Sequence, residues 1–193
     1  MYSVSFTRRQ KKYRRIKNFL IRLCLYIAGL FIVISLGLFC VRNYGIQNVM
    51  IDQAMAPTLQ SEDVVLVDKM AYRIGEPQRM DIVVVRIGST DHGLSYIRRI
   101  VGLPGDKIRI SGGQLVINDE PAVIEFNQDA IEDAGTADQE VTLEDDEYFV
   151  LSDNYNNSRD DSRLDSFGMI SESQIAGKVW FRIMPLSDIG KIR

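Results

Sequence analysis

The sequence predicts a mostly β domain, an antiparallel and coiled β-sheet, that follows one N-terminal transmembrane helix. Three observations lead to this fold class. Residues 23–41 form an apolar run without a charge. After it, short β-rich segments alternate with turn residues, as in antiparallel sheets. A helix is expected only near residues 171–174. The chain therefore divides into a basic tail (1–22), a transmembrane helix (23–41) and a β domain (43–193).

The apolar run is long enough to cross a membrane. Nineteen helical residues span about 29 Å, close to the ~30 Å thickness of the hydrocarbon core. The apolar part of a cleaved secretory signal is shorter and precedes a small-x-small site, which residues 42–44 do not offer. Cys24 and Cys40 would lie about 24 Å apart on such a helix, too far for a disulfide between them.

Charge is distributed unevenly along the chain. Eight basic residues precede the apolar run, and no Asp or Glu occurs before Asp52. The positive-inside rule then predicts a plasma-membrane protein with a cytoplasmic N-terminus and an extracellular domain. After Arg42 there are 26 acidic and 14 basic residues, so the domain carries about −12 charges. Such a domain is a poor partner for nucleic acid, which is bound by clustered Lys and Arg.

The sequence gives no reason to expect a metal or a cofactor. His92 is the only histidine, and it lies in a turn-rich stretch. Since the domain also has no cysteine, it lacks the usual ligands of a zinc site.

The β segments of the domain can be placed in chain order. The predicted strands cover residues 64–67, 82–85, 95–103, 107–110, 114–117, 147–151 and 179–183. Residues 111–113 join two of these strands as a hairpin turn. The acidic, small-residue-rich stretch 127–140 is predicted to be an exposed or mobile loop.

The stretch 52–59, which reads DQAMAPTL, precedes all of these strands. Without reference to any family, this stretch is predicted to be a turn. Pro57 fixes its own φ, and Met55 is an apolar residue that could anchor the turn in the core. It resembles the Ser-Met-x-Pro-Thr-Leu box of type I signal peptidases, whose first residue is the nucleophilic serine. That position is Ala54 here, and its methyl group cannot attack a peptide bond.

Further boxes resemble the same family in the same order. They are RMDIVV (79–84), YIRRIVGLPGD (96–106), SDNYNNS (152–158), DSR (161–163) and IAGKV (175–179). One residue is inserted before DSR. Because the ordered set covers most of residues 47–185, the chain is identified as a member of the type I signal peptidase family, peptidase S26. The resemblance implies a signal-peptidase-like β domain.

The residues at the reacting positions depart from that family. Its general base is a lysine, which must be neutral to accept the proton of the serine. Arg98 stands there, and a guanidinium stays protonated. Asp52 would repel an oxyanion or pair with Arg98, Ser152 replaces a glycine, and Met80 stands where glycine is usual. With Ala54, these changes predict a catalytically degenerate chain without the Ser-Lys dyad that is not an enzyme.

The resemblance then implies a non-catalytic binding or assembly factor on the outer face of the membrane. The chain resembles the SipA-type pilus-assembly proteins of Gram-positive bacteria, which implies a pilin or a sortase as its partner. The former cleft could hold an extended peptide. The residues that keep the family's scaffold are Pro57, Asp153, Asn154, Asp161, Ser162 and Arg163.

An alternative stays open at this point. The chain is then a type I signal peptidase, a serine endopeptidase that cleaves signal peptides, inactivated by substitution at Ala54 and Arg98. A substitute hydroxyl such as that of Thr58 or Ser95 is a variant of this hypothesis. A serine codon at position 54 and a lysine codon at position 98 in the encoding gene would favour it.

Overall fold

A computed structural model describes most of the chain. The described residues are 3–47, 53–88, 94–124, 127–158 and 160–192. Contacts divide the protein into two compact units, Met1–Arg42 and Asn43–Arg193, which are treated separately below.

The first unit is helical. Helix α1 spans Ser3–Asn43, so the backbone of the basic tail continues the predicted helix toward the N-terminus. Arg and Lys are good helix formers, which accounts for this extension. Within α1, the segment Ile16–Phe39 has a mean hydropathy of 2.5 and is the one helix of the described chain that is long and apolar enough to cross a membrane. The predicted N-terminal apolar helix is therefore present.

The second unit is mostly β. Its strands are β1 (Tyr44–Gln47), β2 (Val64–Asp68), β3 (Ile82–Ile87), β4 (Leu94–Gly102), β5 (Lys107–Ser111), β6 (Gln114–Ile117), β7 (Glu120–Pro121), β8 (Val141–Thr142), β9 (Glu147–Leu151), β10 (Ile170–Ser171), β11 (Ile175–Met184) and β12 (Gly190–Lys191). One short helix, α2 (Ala71–Ile74), joins β2 to β3. Short 3-10 turns are Gln53–Met55, Gly135–Asp138, Glu172–Gln174 and Leu186–Asp188.

The strands form two sheets, and every recorded pair is antiparallel. The larger sheet has the order β1-β2-β11-β3-β4-β9-β10, with β12 beside β11, and the smaller has the order β7-β6-β5-β8. Register shifts in the pairing of β11 with β2 and β3, and of β4 with β9, mark bulges that coil the larger sheet. The predicted mostly β, antiparallel fold class is confirmed.

The core follows the alternation of side chains along the strands. On β3, Val84 packs with β2 and the 53–59 segment in one cluster, while Val83 and Val85 belong to a cluster on the opposite face. A third cluster fills the smaller sheet and is built around Phe149. The strand β3 is therefore buried on both faces, as its continuous run of valines indicates.

Two local predictions change in the structure. The expected helix at residues 171–174 is only a single 3-10 turn, in which the side chains of Ser171 and Gln174 form a capping box. The stretch 127–140 is largely exposed, as predicted, but it is anchored to the domain. Ile131 and Ala137 are buried in the core of the smaller sheet, and Gly135 lies against the backbone of Arg163.

Candidate active site

Residues 53–59 of the DQAMAPTL segment form a partly buried turn that packs on the larger sheet. Ala54 and Met55 lie in the 3-10 turn Gln53–Met55 and are almost fully buried. The backbone N–H of Asn154 donates to the carbonyl of Ala54 at 2.8 Å, and its side-chain amide donates to the carbonyl of Gln53 at 3.1 Å. The turn is thus held by the loop after β9. Asp52, predicted to border the oxyanion region, lies outside the described residues.

A buried ion pair links that loop to β4. The guanidinium of Arg99 donates two hydrogen bonds to the carboxylate of Asp153, at 2.8 and 2.7 Å. Thr58 donates its hydroxyl to the same carboxylate. Arg99 also donates to the carbonyl of Met80 at 3.0 Å. This bidentate geometry fixes Asp153, and with it Asn154, against the 53–59 segment.

Arg98 points to the other face of β4. Its side chain is 1% exposed and lies on the face of Val83, its partner on β3. Its Nε donates to the carbonyl of Asp160 at 2.5 Å, and Nη1 donates to the carbonyl of Ile97 at 2.6 Å. The guanidinium carbon is also 5.2 Å from the ring centre of Tyr96. Arg98 is therefore a buried, permanently charged donor on the face of β4 opposite to Arg99.

The DSR segment (161–163) stabilises the loop that follows β9. Arg163 donates to both carboxylate oxygens of Asp161, at 2.9 and 2.8 Å, and both side chains are buried. Asp161 accepts in addition from the backbone N–H of Ser152 at 3.0 Å. The Ser162 hydroxyl accepts from the backbone N–H of Val150, also at 3.0 Å. These bonds tie residues 161–163 to the end of β9 and to Ser152.

Two further features lie just before β3, at Met80 and Asp81. Met80 has a φ of 72°, in the left-handed region where glycine is favoured, which explains why glycine is usual at this position. Next to it, Asp81 accepts from Lys178 and from the Tyr72 hydroxyl. Burial and this carboxylate together raise the pKa of Tyr72, so the phenol stays protonated and keeps donating. The sequence analysis missed Tyr72, which follows β2 in a segment without a recognisable motif.

A strand edge runs beside the buried turn. β4 pairs with β3 over residues 94–99, and its pairing with β9 begins at Arg99. Among the residues that the structure describes, β4 therefore has a partner strand on one side only over 94–98. The 3-10 turn that carries Ala54 contacts β4 as well. The structure thus brings the turn at Ala54 and the strand of Arg98 together, with β4 as the shared element. Within the described residues, no cluster of His, Cys, Asp or Glu is arranged to hold a metal ion.

Comparison with known proteins identifies the family of this chain. The family model of signal peptidases, peptidase S26, matches residues 22–184. The chain belongs to this family.

Several signal peptidases are similar to the chain over most of its length. Signal peptidase I U of Bacillus subtilis (strain 168) is 36% identical over 186 residues, 93% of this chain and 94% of the relative. Signal peptidase I of Bacillus caldolyticus is 33% identical, over 81% of this chain and 87% of its own length. Signal peptidase IB of Staphylococcus aureus (strain N315) is 31% identical, with 89% and 93% covered.

A solved structure is also similar to the chain. The crystal structure of a signal peptidase I from Enterococcus faecalis V583 is 26% identical, with a TM-score of 0.43, and the match covers 54% of this chain and 97% of that one.

These comparisons correct one prediction. From Ala54 and Arg98 we predict that the chain is not an enzyme, but its relatives are named signal peptidase I, which is an enzyme class. The prediction is wrong because it derived the function of a whole fold from two side chains. The match of positions 54 and 98 to the family's serine and lysine is still a prediction, and so are the roles of the other site residues.

Proposed function

We propose that the chain is a membrane-anchored type I signal peptidase, a serine endopeptidase of the kind that cleaves signal peptides, in a form substituted at Ala54 and Arg98. Support comes from the family match over residues 22–184 and from the Bacillus subtilis relative, which covers 93% of the chain. Because the match covers nearly the whole length of both proteins, it includes the N-terminal helix as well as the β domain. The substrate is then a chain segment with small residues around the scissile bond.

The observation that carries the proposal is the one-sided ladder of β4 beside the turn at Ala54. An extended peptide can pair with such an edge through backbone hydrogen bonds, which need no particular side chain. A peptide on the 94–98 edge would run past the buried turn. The scissile carbonyl then lies near position 54.

Positions 54 and 98 are proposed as the reaction centre. The serine form of the reaction needs a hydroxyl at 54 and a neutral lysine at 98 that removes its proton. Ala54 and Arg98 supply neither group, so the proposal assigns the reaction to the chain with serine and lysine restored. Thr58 is a poor substitute nucleophile because its hydroxyl is committed to Asp153, which already pairs with Arg99.

The test is cleavage of a fluorogenic peptide with a small-x-small site by the full-length chain in detergent. The variant Ala54→Ser with Arg98→Lys is expected to cleave at least about a hundredfold faster than the unsubstituted chain, because nucleophile and base act as a unit. Thr58→Val, tested in both backgrounds, serves as the control.

The outcomes of this assay decide which residues form the reaction centre. If the doubly substituted chain is folded yet cleaves no faster than the unsubstituted one, the assignment of positions 54 and 98 is wrong. If Thr58→Val removes turnover that the unsubstituted chain shows, Thr58 is the nucleophile instead.

We also propose that the basic end of α1 is cytoplasmic and that residues 43–193 lie at the outer face of the plasma membrane. The support is the charge bias: the tail has eight basic residues, and no acid precedes Asp52. A pilin or a sortase as partner stays a prediction from the sequence resemblance. The names of the similar proteins reported above concern signal peptidases only.

A further inference from the structure

One segment outside the signal-peptidase boxes contacts the candidate active site. We call residues 127–138 the strap. It lies along the loop that follows β9, and three contacts join them. Asn127 bonds the carbonyl of Asp153, Asn156 bonds the strap at the carbonyl of Ala130, and Arg163 bonds the carbonyl of Asp133.

Asn127 is the member of this set that reaches the active-site loop. Its side-chain NH₂ donates to the carbonyl of Asp153 at 2.9 Å, and its side-chain oxygen accepts from the N–H of Asp129 at 2.9 Å. The hydroxyl of Tyr155 is shared between the carbonyls of Asn127, at 3.2 Å, and Asp129. Burial raises the pKa of Tyr155, which keeps this hydroxyl a donor. The amide of Asn127 is therefore held in one orientation.

Asp153 and the residue after it link Asn127 to the turn at Ala54. The carboxylate of Asp153 binds Arg99 and Thr58, and the N–H of the next residue, Asn154, donates to the carbonyl of Ala54 at 2.8 Å. The peptide unit that carries the Asp153 carbonyl also carries the Asn154 N–H, because the two groups belong to the same amide. Asn127 and Ala54 thus bond the two ends of a single peptide plane.

We propose that Asn127 is a positioning residue of the peptidase site: it fixes the Asp153–Asn154 peptide plane, which in turn holds the turn at Ala54. This inference rests on the proposed function. Tilting that plane would weaken the bond to Ala54 and shift the turn that faces the bound peptide. The control residue is Asn156, which donates to Ala130 at 2.9 Å and accepts from Glu132 at 3.1 Å but does not contact this plane.

The first experiment needs no substrate. Hydrogen exchange of the Asn154 amide is measured at pH 7 in the full chain, in Asn127→Asp and in Asn156→Ala. The carboxylate that Asn127→Asp introduces cannot donate to a carbonyl, so the Asn154 amide is expected to exchange about tenfold faster. In Asn156→Ala the rate is expected to stay within about twofold of the unsubstituted chain.

The second experiment uses pH to restore the missing donor. Near pH 4 a carboxyl group is partly protonated and can donate again. Asn127→Asp should then regain protection at Asn154, while Asn127→Ala, which has no donor at any pH, should not. In parallel, a small-x-small peptide should bind Asn127→Asp about tenfold more weakly than the unsubstituted chain at pH 7.

The two proposals fail separately. If no form of the chain binds the peptide, the proposed function fails, and the exchange of Asn154 still decides the role of Asn127. Equal acceleration of exchange in Asn127→Asp and Asn156→Ala would show a general effect of loosening the strap and would overturn the positioning role. Unchanged exchange in Asn127→Asp would overturn it as well.

Discussion

Arg98 and Arg99 are neighbours on β4, yet their surroundings differ in kind. Arg99 meets a carboxylate, that of Asp153, through two parallel hydrogen bonds. The hydrogen bonds described above for Arg98 go instead to the carbonyls of Asp160 and Ile97. Strand alternation sends the two side chains to opposite faces of the sheet. Arg99 thus holds the active-site loop through an ion pair, whereas position 98 is the one that we propose as the place of the catalytic lysine.

The largest effect is expected at the Arg99 side of this comparison. Asp153→Asn removes the buried carboxylate and leaves the charge of Arg99 without its counter-ion. We expect the free energy of unfolding to fall by about 3–5 kcal/mol. Urea unfolding of the full chain in detergent measures it. In Asp153→Asn with Arg99→Gln the loss should be smaller than the sum of the two single losses, and strict additivity would show that the pair does not interact.

A substitution in the strap tests how much the packing of the strap against the loop after β9 contributes to the free energy of unfolding. A Cβ at Gly135 would lie 2.1 Å from the carbonyl oxygen of Arg163, and its φ is 55°. Gly135→Ala should therefore cost about 2–3 kcal/mol through clash and backbone strain. Gly105→Ala is the matched control, since Gly105 has a φ of 81° but open space around its Cβ. Equal losses would mean that the strap shifts easily.

Substitution of Arg98 is expected to lower the free energy of unfolding less than substitution of Asp153. Arg98→Lys loses the planar fork that bonds two carbonyls, and we expect a loss of about 1–2 kcal/mol. Arg86→Lys on β3 is the control, because Arg86 is exposed and should change stability by less than about 0.5 kcal/mol. A loss at Arg98 as large as that for Asp153→Asn would remove the contrast between the two positions.

Sequence and structure agree where local chemistry decides the outcome. The valine run of β3 and the turns around it are enough to predict a strand, and the resemblance to the family's boxes implies that positions 54 and 98 belong to one region. The pairing of Arg99 with Asp153 spans 54 positions. It is set by the register of β4 and β9, which no local pattern encodes.

The strap shows where sequence analysis fails. Its composition is that of a solvated loop, because charged and small residues dominate it. Yet Ile131 and Ala137 are buried, and side chains of the loop after β9 bond its carbonyls. Such side-chain-to-backbone contacts depend on the meeting of two distant loops. Nothing in the sequence around Asn127 therefore indicates its bond to Asp153.

Cysteine labelling tests the proposed orientation of the chain in the membrane. In a chain with Cys24 and Cys40 replaced by alanine, a cysteine at Ser187 should react with an impermeant maleimide on intact cells. A cysteine at Ser3 should react only after permeabilisation. The charge bias of the two ends is the physical reason. The reverse labelling pattern would place the domain in the cytoplasm and remove its access to exported substrates.

Positions 54 and 98 are proposed above as the reaction centre of a signal peptidase. The direct measurement is the pH dependence of peptide cleavage by Ala54→Ser with Arg98→Lys, set against Ala54→Ser alone. A lysine base works only when neutral, so the rate of the double variant should rise with pH and level off above the pKa of the introduced lysine. Arg98 stays protonated, so the single variant should be slower and lack this rise. Equal rates and identical pH profiles in the two variants would contradict the account.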